Sequence, residues 1–175
     1  MIPPIRLVPL TPFSEEIVYG LVSPLADVFK TNVTVGTPVR NIVDSVYDYS
    51  RGQYNSTLLI KELLRRFDGQ TKILGITSVD LFVPVLTYVF GEAQLDGVAG
   101  VMSTFRLDDT IYGLPQDKVK FFERCIKESV HELGHTFGLF HCKNFNCAMH
   151  SSTTVDDIDI KGGTLCKECS RKIGV

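Results

Sequence analysis

What the chain lacks narrows its role before any motif is considered. It has no basic excess: 18 Lys and Arg stand against 20 Asp and Glu in 175 residues, a net charge of -2, whereas a binder of phosphate backbones needs clustered cations to displace counterions. Nucleic acid is therefore not an expected partner. No apolar run approaches the ~20 residues that cross a bilayer, so no membrane partner is expected either. The opening segment, MIPPIRLVPL, has no charged start, long apolar core or small-residue cleavage site, and does not resemble a signal peptide. Internal repeats, low-complexity tracts and linkers are missing too. A cytoplasmic, monomeric protein is expected. Asn32 and Asn55 each open a glycosylation-type triplet, but without secretion these are chance matches. At 44% apolar, the chain is long enough for one domain with a full core.

Histidine and cysteine are scarce, four and five residues, and unevenly spread. Every histidine and two of the cysteines fall within HELGHTFGLFHCKNFNCAMH, residues 131–150.

The chain before that stretch alternates strand and helix patterns. Ile5–Leu10 predicts a strand. A helix follows from Ser14 as N-cap, with Ile17, Leu21, Leu25 and Val28 at helical spacing and Pro24 as a point of kinking. Asn32–Val35 is a short strand. Thr57–Phe67 is a second helix with Leu58, Leu59, Leu63 and Leu64 inward and Lys61, Arg65 and Arg66 outward. Lys72–Thr77 predicts a buried strand, and residues 86–105 two strands joined at Asp96-Gly97, a dipeptide suited to a hairpin turn. This succession predicts a mixed α/β (α+β) sheet fold. Pro115 precedes a long helix over about residues 116–137, its buried side marked by Val119, Phe122, Ile126, Val130, Leu133 and Phe137.

On that helix His131 and His135 are one turn apart, ~6 Å along the axis, so both rings reach one ion. Gly138 then ends the helix, since glycine takes the left-handed conformation readily, and the chain turns to deliver His141. Three imidazoles leave the fourth corner of a tetrahedral zinc open, as catalytic sites require. Glu132, beside the first ligand, is placed as general base and then acid for amide hydrolysis. A bare H-E-x-x-H arises by chance on surface helices. The extended H-E-x-x-H-x-x-G-x-x-H fixes five positions and is far more selective.

Cys142 and Cys147 form a C-x4-C pair, and Cys166 and Cys169 a C-x2-C pair. In a reducing compartment two short-spaced pairs suit a closed tetrahedral structural zinc better than disulfides. Two zinc ions per chain are thus expected. Cys125, on the long helix, reads as a small core residue. The sequence does not identify an oxyanion-stabilising group; Tyr112 and His150 are guesses that no motif supports. Asp156, Asp157 and Asp159 read as an exposed acidic loop, the other possibility being attraction of a substrate amine.

The extended histidine motif resembles the metzincin zinc peptidases. The string H-E-x-x-H-x-x-G-x-x-H-C-x4-C-x-M followed by C-x2-C resembles, more narrowly, the archaemetzincins, as do RGQYNST, LGITSVDLFVP, YVFGEA and STFRL upstream. Cys142 stands where many metzincins carry an acidic residue. The resemblance implies a metzincin-type zincin fold: a twisted mixed sheet with the active-site helix in residues 1–138, and a small zinc-stabilised C-terminal subdomain in residues 139–175. It also implies Met149 in a tight turn beneath the metal, and an edge strand, within Tyr88–Gln94 or Gly97–Thr104, that binds extended peptide. The expected function is a zinc metallopeptidase acting on peptide or protein through Glu132. Endopeptidase and aminopeptidase-like action stay open. The competing expectation is a zinc-stabilised binding module whose histidine site is vestigial.

Overall fold

The computed structural model describes residues 2–10, 15–39, 41–67 and 69–175. In chain order its elements are β1 (Ile5–Pro9), α1 (Glu15–Phe29), β2 (Val33–Val35), β3 (Tyr47–Asp48), β4 (Gln53–Asn55), α2 (Ser56–Leu64), β5 (Lys72–Thr77), β6 (Leu81–Phe82), β7 (Gly91–Ala93), β8 (Ala99–Ser103), α3 (Lys118–Thr136), α4 (Val155–Ile160) and α5 (Lys167–Ile173). The main sheet has the order β2-β1-β5-β8-β7, with β7 antiparallel to β8 and the other pairs parallel. A small second sheet, β3-β4-β6, lies beside it.

Alternation along the central strands places helices on both faces. Ile5, Leu7, Leu74, Ile76 and Met102 pack against α1 and α3. Val8, Ile73, Ala99 and Val101 pack against Leu59, Ile60 and Leu63 of α2. With both faces covered, these strands read as nearly continuous apolar runs, which is why IRLVP and KILGIT were identifiable from composition.

The expected elements recur with instructive differences. Ser14, the expected cap of α1, lies outside the described residues; α1 itself continues through Pro24. In α2 Leu58 faces solvent and Ile60 takes the inward place. Asn55 supplies the cap, its side chain accepting from the Leu58 amide at 3.0 Å. The hairpin turn falls at Asp96-Gly97 as expected, with Asp96 at φ 51°. The strand entering it is only Gly91–Ala93, because Tyr88 and Phe90 turn into the apolar cluster beside α3. α3 starts at Lys118, two residues later than expected, since Asp117 caps it by accepting from the amides of Val119 and Lys120. Val119 is exposed rather than buried, as are residues 111–118 leading into the first turn of α3. The helix stops where Gly138 adopts φ 88°. The acidic run is no loop. Asp156, Asp157 and Asp159 lie on α4, where Asp157 completes a capping box with Thr154 and Asp159 binds Arg124 through both oxygens at 2.6 and 2.8 Å. No described helix is long and apolar enough to cross a membrane.

Candidate metal centre

The buried half of α3 floors a cleft of about 600 Å³, with β7 as one wall and the segment after Met149 as the other. His131, Glu132 and His135 all line it, and His141 arrives from the turn beyond Gly138. The nitrogens of His131, His135 and His141 that face one another lie within 4.8 Å.

Hydrogen bonding settles which nitrogens are free. His131 Nδ1 lies 2.8 Å from the Ala148 carbonyl and His135 Nδ1 2.7 Å from the Leu139 carbonyl. A carbonyl can only accept, so each Nδ1 carries the hydrogen and each neutral ring keeps its lone pair on Nε2. Burial lowers the pKa of both rings, and of His141, which favours the neutral form. The two Nε2 atoms nevertheless stand 3.1 Å apart. Two facing lone pairs at that distance repel unless a cation lies between them. The edge of a tetrahedron with Zn–N bonds of 2.0–2.1 Å is ~3.3 Å, so the donor set fits zinc.

The four thiols converge likewise. Cys142, Cys147, Cys166 and Cys169 place their sulfurs within 4.8 Å of one another, with Cys142 and Cys166 at 3.9 Å. Tetrahedral Zn–S bonds of ~2.3 Å give an edge of ~3.8 Å. The amide of Cys169 holds the Cys166 thiol down to about 7, while burial raises Cys147 and Cys169. Cys125 is sealed in the core, where burial raises its thiol far above the ordinary value. It takes no part in the cluster.

Three consecutive residues join the two clusters. Cys147 faces the thiols; the Ala148 carbonyl accepts from His131; Met149 is fully buried beneath α3. The carbonyl of Met149 also accepts from the Cys142 amide at 2.8 Å, fixing the residue next to His141. Gly134 makes room for Met149: a β-carbon there would lie 2.2 Å from the methionine sulfur. At an exposed helical site Gly→Ala adds up to ~1 kcal/mol of stability. Gly134→Ala is expected to lower the midpoint of thermal unfolding instead, since overpacking a filled core costs ~1–3 kcal/mol.

Glu132 is buried at the foot of the cleft. Burial, then the Glu128 carboxylate nearby, pushes its carboxyl well above the usual carboxylate range. Gly91 on β7 lets it fit, as a β-carbon there would come within 2.6 Å of Glu132 Cγ and Oε1. Of the expected strand alternatives, β7 is the edge; Gly97–Thr104 contains β8, which is interior. Neither oxyanion candidate lines the cleft. Tyr112 donates to the Arg106 carbonyl at 3.0 Å, and His150 pairs through Nδ1 with the Cys142 carbonyl at 2.8 Å. Sequence reasoning missed Gly91, Ser152 and Glu128 in the cleft lining, and the buried Lys161 that pairs with Glu128 behind it. The spacing of Glu128, one turn before Glu132, is the one hint available.

A mixed sheet whose antiparallel edge strand rims a cleft floored by an H-E-x-x-H helix defines a metzincin-type peptidase fold. The sequence matches peptidase family M54 over residues 25–174, and the chain belongs to this family of zinc metallopeptidases, the archaemetzincins. It is 38% identical over 173 residues to the archaemetzincin of Methanocaldococcus jannaschii, covering 99% of this chain and 94% of that one. The crystal structure of archaemetzincin from Archaeoglobus fulgidus complexed with malonate is 37% identical, with a TM-score of 0.83 over 97% of this chain and 99% of that one. A zinc-dependent peptidase from Methanocorpusculum labreanum matches with a TM-score of 0.87 at 25% identity, over 97% and 99% of the two chains.

Proposed function

We propose that His131, His135 and His141 hold a catalytic zinc, that Cys142, Cys147, Cys166 and Cys169 hold a second, structural zinc, and that Glu132 moves the proton in peptide hydrolysis. The observation that carries this reading is the pair of imidazole lone pairs held 3.1 Å apart by carbonyls behind them, with a buried carboxylate alongside. Zinc there supplies Lewis acidity, lowering the pKa of water and polarising a carbonyl. The chain's residues do the rest. Ala148 and Leu139 orient the rings. Glu132, a carboxylate buried in the cleft beside His131 and His135, takes the proton from the attacking water and returns it to the departing amine. The open edge of β7 offers backbone groups to an extended peptide.

The same reading divides the chain at Gly138 into a sheet-bearing part, residues 1–138, and a small part, residues 139–175, organised by the thiol site with Met149 in its turn. One chain supplies all seven ligands and both cleft walls, so a monomer suffices. Four converging thiols and a fifth sealed in the core suit a reducing cytoplasm.

Metal analysis of the purified chain, paired with a peptide-library digest, tests this function. Two zinc ions per chain and cleavage that disappears in Glu132→Ala are expected. Two zinc ions with no cleavage by either protein would favour the zinc-stabilised binding module.

A further inference from the structure

The cleft changes character across the histidines. On the side of His135 and His141 its rim is apolar and open, formed by Leu95 and Phe140, the latter 72% exposed. On the other side, one turn back along α3, Glu128 and Ser152 add polar groups to a lining that also holds Leu86, Val89 and Phe90. Tyr88 closes that end, its hydroxyl donating to the Thr153 carbonyl at 2.9 Å. The Glu128 side chain is only 4% exposed, and the fully buried Lys161 ammonium lies 2.7 Å from its Oε1. That contact is electrostatic: it lies off the line of a hydrogen bond, and Oε1 receives no hydrogen bond. The buried Ser152 Oγ has no hydrogen-bond partner either. Buried polar atoms are nearly always satisfied, so the unpartnered Ser152 Oγ, beside a carboxylate whose Oε1 is held by an ion pair alone, points to a missing ligand group in this wall of the cleft.

Charge decides which group. Glu128 and Lys161 already cancel. A lysine or arginine side chain would add an uncompensated cation beside Lys161 and the metal. An acidic side chain would meet Glu128 and Glu132. An aliphatic one would leave Ser152 Oγ without a partner. An amide or hydroxyl can donate to Glu128 and exchange a hydrogen bond with Ser152 without adding charge.

Strand direction decides which substrate residue is concerned. β7 runs from Gly91, beside Glu132, to the turn at Asp96, whose amide donates to the His135 carbonyl at 2.9 Å. Antiparallel pairing gives the better-aligned ladder, so a peptide on this edge runs the opposite way. Its amino-terminal half crosses Leu95 and Phe140, and the residue after the scissile bond reaches Glu128 and Ser152.

We propose that Glu128, Ser152 and Lys161 form a polar subsite that selects a neutral hydrogen-bonding side chain, Asn, Gln, Ser or Thr, on the substrate residue following the scissile bond. This rests on the peptidase function proposed above.

Two measurements test it on the full-length, zinc-loaded chain. The first is mass-spectrometric mapping of cleavage in a peptide library. The second is calorimetric binding, to the Glu132→Ala protein, of two peptides differing only by Gln or Leu at the position in question. A preference for Gln over Leu of about tenfold or more is expected in wild-type cleavage and in binding to Glu132→Ala alike, with the subsite changes made in both backgrounds. Ser152→Ala should weaken that preference. The double change Glu128→Leu with Lys161→Met, which leaves no lone buried charge, should reverse it towards Leu. If the double variant does not fold, Ser152→Ala carries the comparison. Equal treatment of Gln and Leu, a preference for charged residues, no binding of either peptide, or variants that keep the wild-type preference would each overturn the subsite. Cleavage with a flat profile removes the subsite alone. Discrimination in binding without any cleavage by wild type supports the subsite and removes the peptidase mechanism instead.

Discussion

Glu132→Gln is expected to reduce peptide hydrolysis by ~10³-fold or more while zinc content and thermal stability stay near wild type. General acid and base catalysis by one positioned group contributes ~10²–10⁴-fold, and here the same carboxylate is asked to serve both transfers. The amide is nearly isosteric, which matters because Glu132 is packed against Gly91 and any larger change would disturb β7. Charge loss alone should not unfold the chain: the carboxyl is already disfavoured in its ionised form by burial. Turnover measured with a cleaved library peptide, next to metal analysis of the same sample, checks both halves. A variant that keeps more than about a tenth of wild-type activity would remove Glu132 from the chemistry.

Cys166→Ala is expected to cost both metals, not one. A structural zinc contributes ~10–16 kcal/mol of apparent binding energy, comparable with the whole stability of a domain of this size, ~5–15 kcal/mol. Without the fourth thiolate, residues 139–175 lose the ion that organises them. The damage then passes along the backbone, because Cys147 is followed directly by the carbonyl that orients His131 and by the methionine that packs beneath Gly134. Cys142 directly follows His141, and its amide donates to the Met149 carbonyl, which fixes the backbone beside that histidine. Zinc per chain should fall from two to well below one, with hydrolysis falling in step. Loss of one zinc at unchanged rates would show the two centres to be independent.

The histidine and cysteine clusters were legible because their geometry is local. His131 and His135 share a face by the helical repeat alone, Gly138 marks the stop, and each cysteine pair spans a single turn. The central strands were legible because burial on both faces leaves uniform apolar runs. What escaped depends on contacts between distant segments. Glu128 and Lys161 look like ordinary surface charges on amphipathic stretches until the fold buries them together. Gly91 is unremarkable in YVFGEA until Glu132 comes within reach. The strands of the second sheet are two or three residues long, too short to show any period. Val119 and Leu58 follow the apolar spacing of their helices yet face solvent, since periodicity identifies a stripe without telling how far the neighbouring sheet extends beneath it.

Residues 147, 148 and 149 are each pinned to a different anchor: a thiol cluster, an imidazole and the underside of a helix. Such a segment behaves as a ruler. Side chains around it can drift, but a single inserted or deleted residue would shift every anchor to the wrong neighbour at once. Chain length between His141 and Met149 is therefore more tightly constrained than most of the identities within it, and loop grafts or tag insertions belong elsewhere.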